Sequence, residues 1–73
     1  MRLTPQKIGE LVRIARQQVG VTQRSLALTS GTGLRFIIEL EKGKATCQLG
    51  KVLAVINTLG IDITLKLPVA GRK

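Results

Sequence analysis

The stretch that decides the fold runs from Thr22 to Lys44 and reads TQRSLALTSGTGLRFIIELEKGK. Thr22 belongs to the residue types that cap helix N-termini, so a short helix is predicted directly behind it. The sequence TSGTG at residues 29–33 breaks that helix. A second short helix is predicted from about Gly33 to Glu41, and Gly43 stops it. The stretch therefore predicts two short helices joined by a tight, glycine-rich turn.

Helices are also predicted on both sides of this stretch. Thr4 and Pro5 are typical of a helix start and Gly20 of a helix end, so a first helix is predicted between them. A fourth helix is predicted from a cap at Thr46 to a stop at Gly60, because apolar residues recur there at helical spacing. Its inward side chains are predicted to be Leu49, Val52, Leu53 and Ile56.

The hydrophobic pattern changes after the fourth helix. Residues 61–67 read IDITLKL and alternate strictly between apolar and polar, which is typical of a β-strand with one buried face; Pro68 ends it. One strand cannot satisfy its own ladder hydrogen bonds, so a second copy of the chain is the expected partner. The dimer interface is predicted to contain the apolar side chains of the strand and two residues that widen the stripe of the fourth helix, namely Val55, Leu59, Ile61, Ile63, Leu65 and Leu67.

The 73 residues are predicted to form one small domain. A chain of this length buries only about 60% of its unfolded surface and usually needs a staple or a partner. Cys47 is the only cysteine, which excludes an internal disulfide and favours association with a second copy. The predicted parts are an N-terminal arm at 1–4, the four-helix domain at 5–60, a dimerisation strand at 61–67 and a flexible tail at 68–73.

The composition narrows the class of function. Twelve Lys and Arg stand against four Asp and Glu, a net charge of +8, which favours a polyanionic partner over a merely basic surface. There is no His, and the four acids stand singly, so we predict no enzyme, no metal and no cofactor. Phe36 is the only aromatic residue, too few for stacking single-stranded bases. No apolar run suits a membrane span or a signal peptide, so a cytoplasmic protein is expected.

The outward face of the predicted third helix is unusual. At about 100° per residue, Leu34, Arg35 and Ile38 point away from the core, with Glu39 at the edge of that face. Exposed apolar groups beside an arginine suit the DNA major groove, where they meet thymine methyl groups. The alternative is that Leu34 and Ile38 pack against another part of the protein. The layout is that of a helix-turn-helix, which lays its second helix in the major groove. The predicted inward face comprises Phe36, Ile37 and Leu40.

The residues described so far resemble the Xre-type, lambda-repressor-like helix-turn-helix family over about residues 5–61. Within it, GTGLRFIIELEKGKAT followed by LGKVLAVINTLGIDITL is most similar to HipB-type antitoxin repressors. The resemblance implies a mainly α fold, a four-helix DNA-binding domain whose C-terminal β-strand pairs across a homodimer. The motifs that carry it are Ile8-Gly9, Val12-Arg13, Thr22-Gln23, Leu26-Ala27, Gly31 and Leu40-Glu41-Lys42-Gly43-Lys44.

The resemblance also implies a function. It indicates a transcriptional repressor that binds a palindromic operator in double-stranded DNA as a dimer. The HipB-type similarity implies an antitoxin that regulates its own operon, with a HipA-like kinase toxin encoded beside it. A stand-alone, phage-repressor-like regulator and a module that mainly binds a protein partner stay open as alternatives.

Phosphate contacts are assigned by position in the family pattern. Gln23 resembles the glutamine that grips a DNA phosphate at the start of the second helix, and Arg24 and Ser25 are expected to assist it. Lys42 and Lys44, after the third helix, resemble residues that clamp the DNA backbone. The pattern also implies a structural salt bridge, which joins the first helix to the third through Arg16 and Glu41.

Base-reading positions match the outward face of the third helix. Leu34, Arg35, Ile38 and Glu39 occupy them, and Arg35 is the best candidate for a bidentate contact to guanine. Glu39 either accepts from a cytosine amine or orients Arg35, and the second role is favoured. Many family members have polar residues in place of Leu34 and Ile38, and a polar residue in place of Gly33. These departures leave the fold prediction intact but make the operator sequence unpredictable.

Overall fold

The computed structural model describes residues 2–68, and within them the chain forms four helices. α3 packs against both α1 and α2, and α4 packs against α2. None of these helices is long and apolar enough to cross a membrane. The helices are α1 (Pro5–Val19), α2 (Gln23–Ser30), α3 (Leu34–Glu41) and α4 (Leu49–Thr58).

The predicted starts of α1 and α2 and the predicted end of α1 at Gly20 are confirmed. The Thr4 hydroxyl accepts a hydrogen bond of 3.0 Å from the amide of Lys7, and the Thr22 hydroxyl accepts one of 3.0 Å from the amide of Ser25. Each bond satisfies an amide that the first turn of a helix leaves free. α2 continues to Ser30, beyond the predicted break. Left-handed glycines follow the two helices, at Gly20 (φ 88°) and Gly31 (φ 72°).

The predicted start of α4 is wrong. Thr46 does not cap the helix; α4 begins at Leu49 behind Gln48, whose side chain makes no capping bond. The reason is a turn around residues 45–46, which carries the chain from the end of α3 to α4. The Cys47 thiol donates to the Lys44 carbonyl across this turn, at 3.5 Å. Thr46 therefore lies in the connecting turn and does not cap α4.

The core is formed by one side of each helix. On α4, Val52, Val55 and Ile56 are buried, whereas Leu49 and Leu53 are exposed, so the predicted inward stripe is half wrong. α4 has apolar residues on nearly all sides, so its packing against α2 determines which of them are buried. Val55 has no exposed surface in the single chain, where it belongs to the core, so its place in the dimer interface stays a prediction. The buried apolar residues are Val12, Leu26, Ala27, Ile37, Leu40, Val52, Val55 and Ile56.

The segment after α4 is irregular in this single chain. Ile61 and Leu59 pack against the core, but residues 62–68 are exposed and form no strand. A strand at this position needs a second backbone for its hydrogen bonds, so the strand predicted for residues 61–67 stays a prediction. The apolar side chains of the segment are left facing outward, with 85% of Leu65 and 91% of Leu67 exposed. Most of the predicted tail, residues 69–73, lies outside the described residues.

Candidate nucleic-acid interface

The outward face of α3 forms a shallow depression. The Arg35 side chain is 89% exposed at this face, and Ile38 is half-buried beside it. Leu34 is half-buried: part of its side chain packs against the core, and the rest is exposed on this face. We call this face the recognition surface; it is lined by Leu34, Arg35, Ile38, Glu39 and Lys42.

The charges on and beside the recognition surface are linked through Glu39. Its Oε2 lies 3.7 Å from Nη1 of Arg35, one turn earlier on α3. Its Oε1 lies 3.1 Å from Nζ of Lys44, beyond the end of the helix. Sequence reasoning missed the second contact, because a spacing of five residues across a helix end follows no helical rule.

The start of α2 presents polar groups of the type that bind phosphate. Arg24 and Ser25 are exposed, while Gln23 is half-buried. The Gln23 side-chain nitrogen donates to Oε1 of Glu41 at 3.1 Å, a link that the sequence did not indicate. An amide nitrogen carries two protons, so this bond leaves the second available for a phosphate oxygen. The contact therefore holds the Gln23 side chain at the first turn of α2 and leaves one of its two N–H donors available.

The predicted salt bridge between Arg16 and Glu41 is present. Nε of Arg16 donates to Oε2 at 2.7 Å and Nη2 donates to Oε1 at 3.1 Å, while Nη1 donates to the Val21 carbonyl at 2.9 Å. Only 13% of the Arg16 side chain and 5% of the Glu41 side chain are exposed. The bond to Glu41 raises the pKa of Arg16, although burial opposes the shift. One guanidinium thus joins α1, the following turn and α3.

The turn between α2 and α3 fixes where the recognition surface lies. Gly31 has a left-handed backbone, and the hydroxyls of Ser30 and Thr32 are hydrogen-bonded at 2.9 Å. Gly33 precedes α3 without a side-chain cap and adds no side chain to the recognition surface. On the opposite face, Ile37 and Leu40 anchor α3 in the core, so its outward residues are presented from a fixed base.

One further cation lies beside α3. The Lys51 ammonium, in the first turn of α4, sits 5.7 Å from the centre of the Phe36 ring. This distance is typical of a cation–π interaction, which places the positive charge of Lys51 beside α3. The sequence did not predict this contact. Phe36 is half-buried against the core, as predicted for an inward residue. Within residues 2–68 no three His, Cys, Asp or Glu side chains come together to hold a metal ion.

Two short helices at a tight glycine turn, with the second exposing a mixed apolar and cationic face, define a helix-turn-helix DNA-binding domain of the kind found in transcription regulators. A helix-turn-helix family model matches residues 12–66, which is most of the chain. The chain belongs to this helix-turn-helix family.

Individual proteins agree with this assignment. The chain is 51% identical over 70 residues to the uncharacterized HTH-type transcriptional regulator y4mF of Sinorhizobium fredii, covering 96% of this chain and 92% of the relative. The restriction-modification controller protein C.AhdI of Aeromonas hydrophila superposes with a TM-score of 0.71 at 28% identity, over 80% of this chain and 84% of that one. A chain in the HipA-HipB-O2-O3 complex gives 0.81 at 24% identity, over 90% and 93%, a likeness of fold.

Proposed function

We propose that this protein is a sequence-specific transcriptional repressor that binds double-stranded DNA with α3 in the major groove. The observation that carries the proposal is the recognition surface itself. The Arg35 side chain is largely exposed to solvent, next to the apolar side chain of Ile38, while the other side of α3 is buried in the core. Arginine reads guanine by two hydrogen bonds, and apolar groups read the thymine methyl.

Candidate phosphate-binding groups before and after α3 support this orientation. Gln23, Arg24 and Ser25 stand at the start of α2, where the free amides of a helix N-terminus also favour an anion. Lys42 and Lys44 follow the other end of α3 and are exposed. These groups would fix the register of α3 on the duplex. Together with the net charge of +8, they make the affinity depend on salt through counterion release.

A homodimer is the second part of the proposal. Apolar side chains remain exposed next to each other at one edge of the domain, among them Leu3, Leu11 and Ile63, which line one groove. Pairing of residues 61–67 with the same segment of a second copy would cover them and satisfy the backbone of both segments. Two-fold symmetry then requires a palindromic operator, with half-sites about 34 Å apart or a multiple of that distance.

The decisive experiment is a gel-shift salt titration on the DNA just upstream of the gene, with a scrambled duplex of equal length as control. We expect tighter binding to the upstream DNA and a footprint with two-fold symmetry. Equal affinity for the two duplexes, vanishing together as salt rises, would contradict sequence-specific repression and leave only a basic module.

The partner of the repressor is a further proposal: a HipA-like kinase toxin, for which this chain would be the antitoxin and autoregulator. The fold agrees over nine-tenths of the chain with a chain in a HipA-HipB complex, and the sequence resembles HipB-type repressors from the third helix to the C-terminal segment. A kinase-like reading frame beside the gene, whose product co-purifies with this protein, would support the partnership. A stand-alone gene would favour a plain regulator instead. Specific partner binding with no operator preference would favour an interaction module.

A further inference from the structure

Glu39 lies between two cations that a DNA duplex would also bind. Its Oε2 is 3.7 Å from the Arg35 guanidinium and its Oε1 is 3.1 Å from the Lys44 ammonium, so each oxygen has its own cation. Arg35 lies on the recognition surface, one turn before Glu39, and Lys44 follows the end of α3. A single carboxylate therefore holds both a base-reading candidate and a phosphate-binding candidate.

Glu39 is also the one acidic residue on the recognition surface. The chain has four acids. Glu10 faces Lys7 on α1, Glu41 is buried with Arg16, and Asp62 lies beyond α4. A duplex that meets α3 brings phosphates towards the Glu39 carboxylate and removes its water, and both changes disfavour the charge. Binding must therefore either leave the two cations on Glu39 or replace them.

We propose that Glu39 determines specificity by competing with the duplex for Arg35 and Lys44; the inference rests on the DNA-binding function proposed above. On the operator, a correctly placed guanine gives Arg35 two hydrogen bonds, which outweigh its long contact with Glu39. On other DNA no base offers this exchange, so Glu39 retains Arg35 and continues to share Lys44. The carboxylate thus weakens binding to non-operator DNA more than binding to the operator.

The test is Glu39→Gln, which removes the charge and keeps the shape. Affinities of the full chain are measured over a salt series, for the footprinted operator and for a random duplex of the same length. We expect affinity for random DNA to rise about 3- to 30-fold, since each exposed ion pair released is worth up to about fivefold. Affinity for the operator should rise less. The salt slope on random DNA should steepen by about 1 to 2, as one or two more cations reach phosphates.

Glu10→Gln is the matched control, because it makes the same charge change on α1, at an exposed pair with Lys7. An equal rise in that variant would overturn the proposal and assign the effect to net charge. A larger loss of affinity for the operator than for random DNA in Glu39→Gln would overturn it too, by making Glu39 a direct acceptor from a base. A smaller effect of Glu39→Gln in a Lys44→Ala background would support the competition.

Failure of the proposed function is distinguishable from failure of this inference. If the unmodified chain binds operator and random duplexes equally, sequence-specific repression is wrong. The difference between Glu39→Gln and Glu10→Gln on random DNA still measures whether Glu39 withholds Arg35 and Lys44. A rise confined to Glu39→Gln then supports the competition, and equal affinities in both variants overturn it.

Discussion

Arg16 on α1 and Glu41 at the end of α3 form a two-point ion pair, with N···O distances of 2.7 and 3.1 Å. The two residues are 25 positions apart in the chain and nearly buried. The Glu41 carboxylate also accepts a hydrogen bond from the Gln23 side chain at Oε1, so the pair is linked to α2 as well. It is therefore the contact through which the two helices of the motif are kept in register with α1.

Breaking this pair should destabilise the fold. Glu41→Gln leaves the Arg16 guanidinium nearly buried and without its carboxylate, which we expect to lower the free energy of unfolding by about 3 kcal/mol. The raised pKa of Arg16 means that its contribution is fully present below the unfolded pKa and lost only in strongly alkaline solution, so urea unfolding at pH 7 measures it in full. Glu10→Gln, at an exposed pair with Lys7, should change the value by less than about 1 kcal/mol. Equal losses in the two variants would contradict a structural role for Glu41.

Arg35→Ala should relax specificity at one base pair of the operator. The side chain is exposed, and among residues 2–68 its one ion pair is the 3.7 Å contact with Glu39, so we expect its removal to leave the fold intact. We expect discrimination against the wrong base at that pair to fall by about 1–3 kcal/mol, with other positions unaffected. Competition gel shifts with singly substituted operators measure it. An equal loss on operator and random DNA would exclude a base-reading role.

Lys44→Ala should weaken binding to all DNA. Its ammonium is half-exposed after α3 and contacts only Glu39 among the described groups. The loss of one phosphate contact should flatten the slope of log affinity against log salt by about 1, with the preference for the operator largely kept. A salt series on both duplexes gives the slopes. An unchanged slope would show that Lys44 does not reach a phosphate.

Gly9→Ala should destabilise the domain by disturbing the contact between α1 and α3. A methyl group at this buried position would overlap the backbone carbonyl of Leu40, which cannot move away as a flexible side chain would. We expect a loss of about 1–3 kcal/mol in thermal or urea unfolding. Gly50→Ala is the control, since Gly50 is helical and faces open space; it should be neutral or stabilising by up to about 1 kcal/mol.

Leu65→Asp should weaken the proposed dimer. In the alternating segment Leu65 lies on the apolar side and is 85% exposed in the single chain, so pairing with a second copy would bury it. Thr64→Asp introduces the same charge on the polar side and should leave association almost unchanged. Sedimentation equilibrium over a protein concentration series separates the two variants. Equal association constants for both would contradict pairing through this face.

Local side-chain chemistry made the helix caps predictable. Thr4 and Thr22 each bond an amide three residues ahead, a contact that depends on neighbours in the chain alone. The Arg16–Glu41 pair is a long-range contact, and only the family resemblance indicated it. The Lys44 contact with Glu39 followed from neither source, because it depends on how the chain leaves α3.

Packing decided what the local pattern could not. α4 has apolar residues on more than one side, so periodicity alone left its orientation open, and contact with α2 buried Val55 in place of Leu53. Thr46 has the chemistry of a cap but lies in a turn. The segment 61–67 has the pattern of a strand. The strand would form only by pairing with a second chain, and one sequence does not show how two chains associate.

The bond from Arg16 to the Val21 carbonyl has a consequence for the nucleic acid. Because the same guanidinium fixes α1, the turn before α2 and α3, the three segments should approach a groove as one stiff template. Any bending, twisting or groove widening that is needed to bring these segments into contact with the DNA must then occur in the duplex. The energy of that deformation depends on base-step flexibility, so we expect the operator to show preferences at base pairs that no side chain touches.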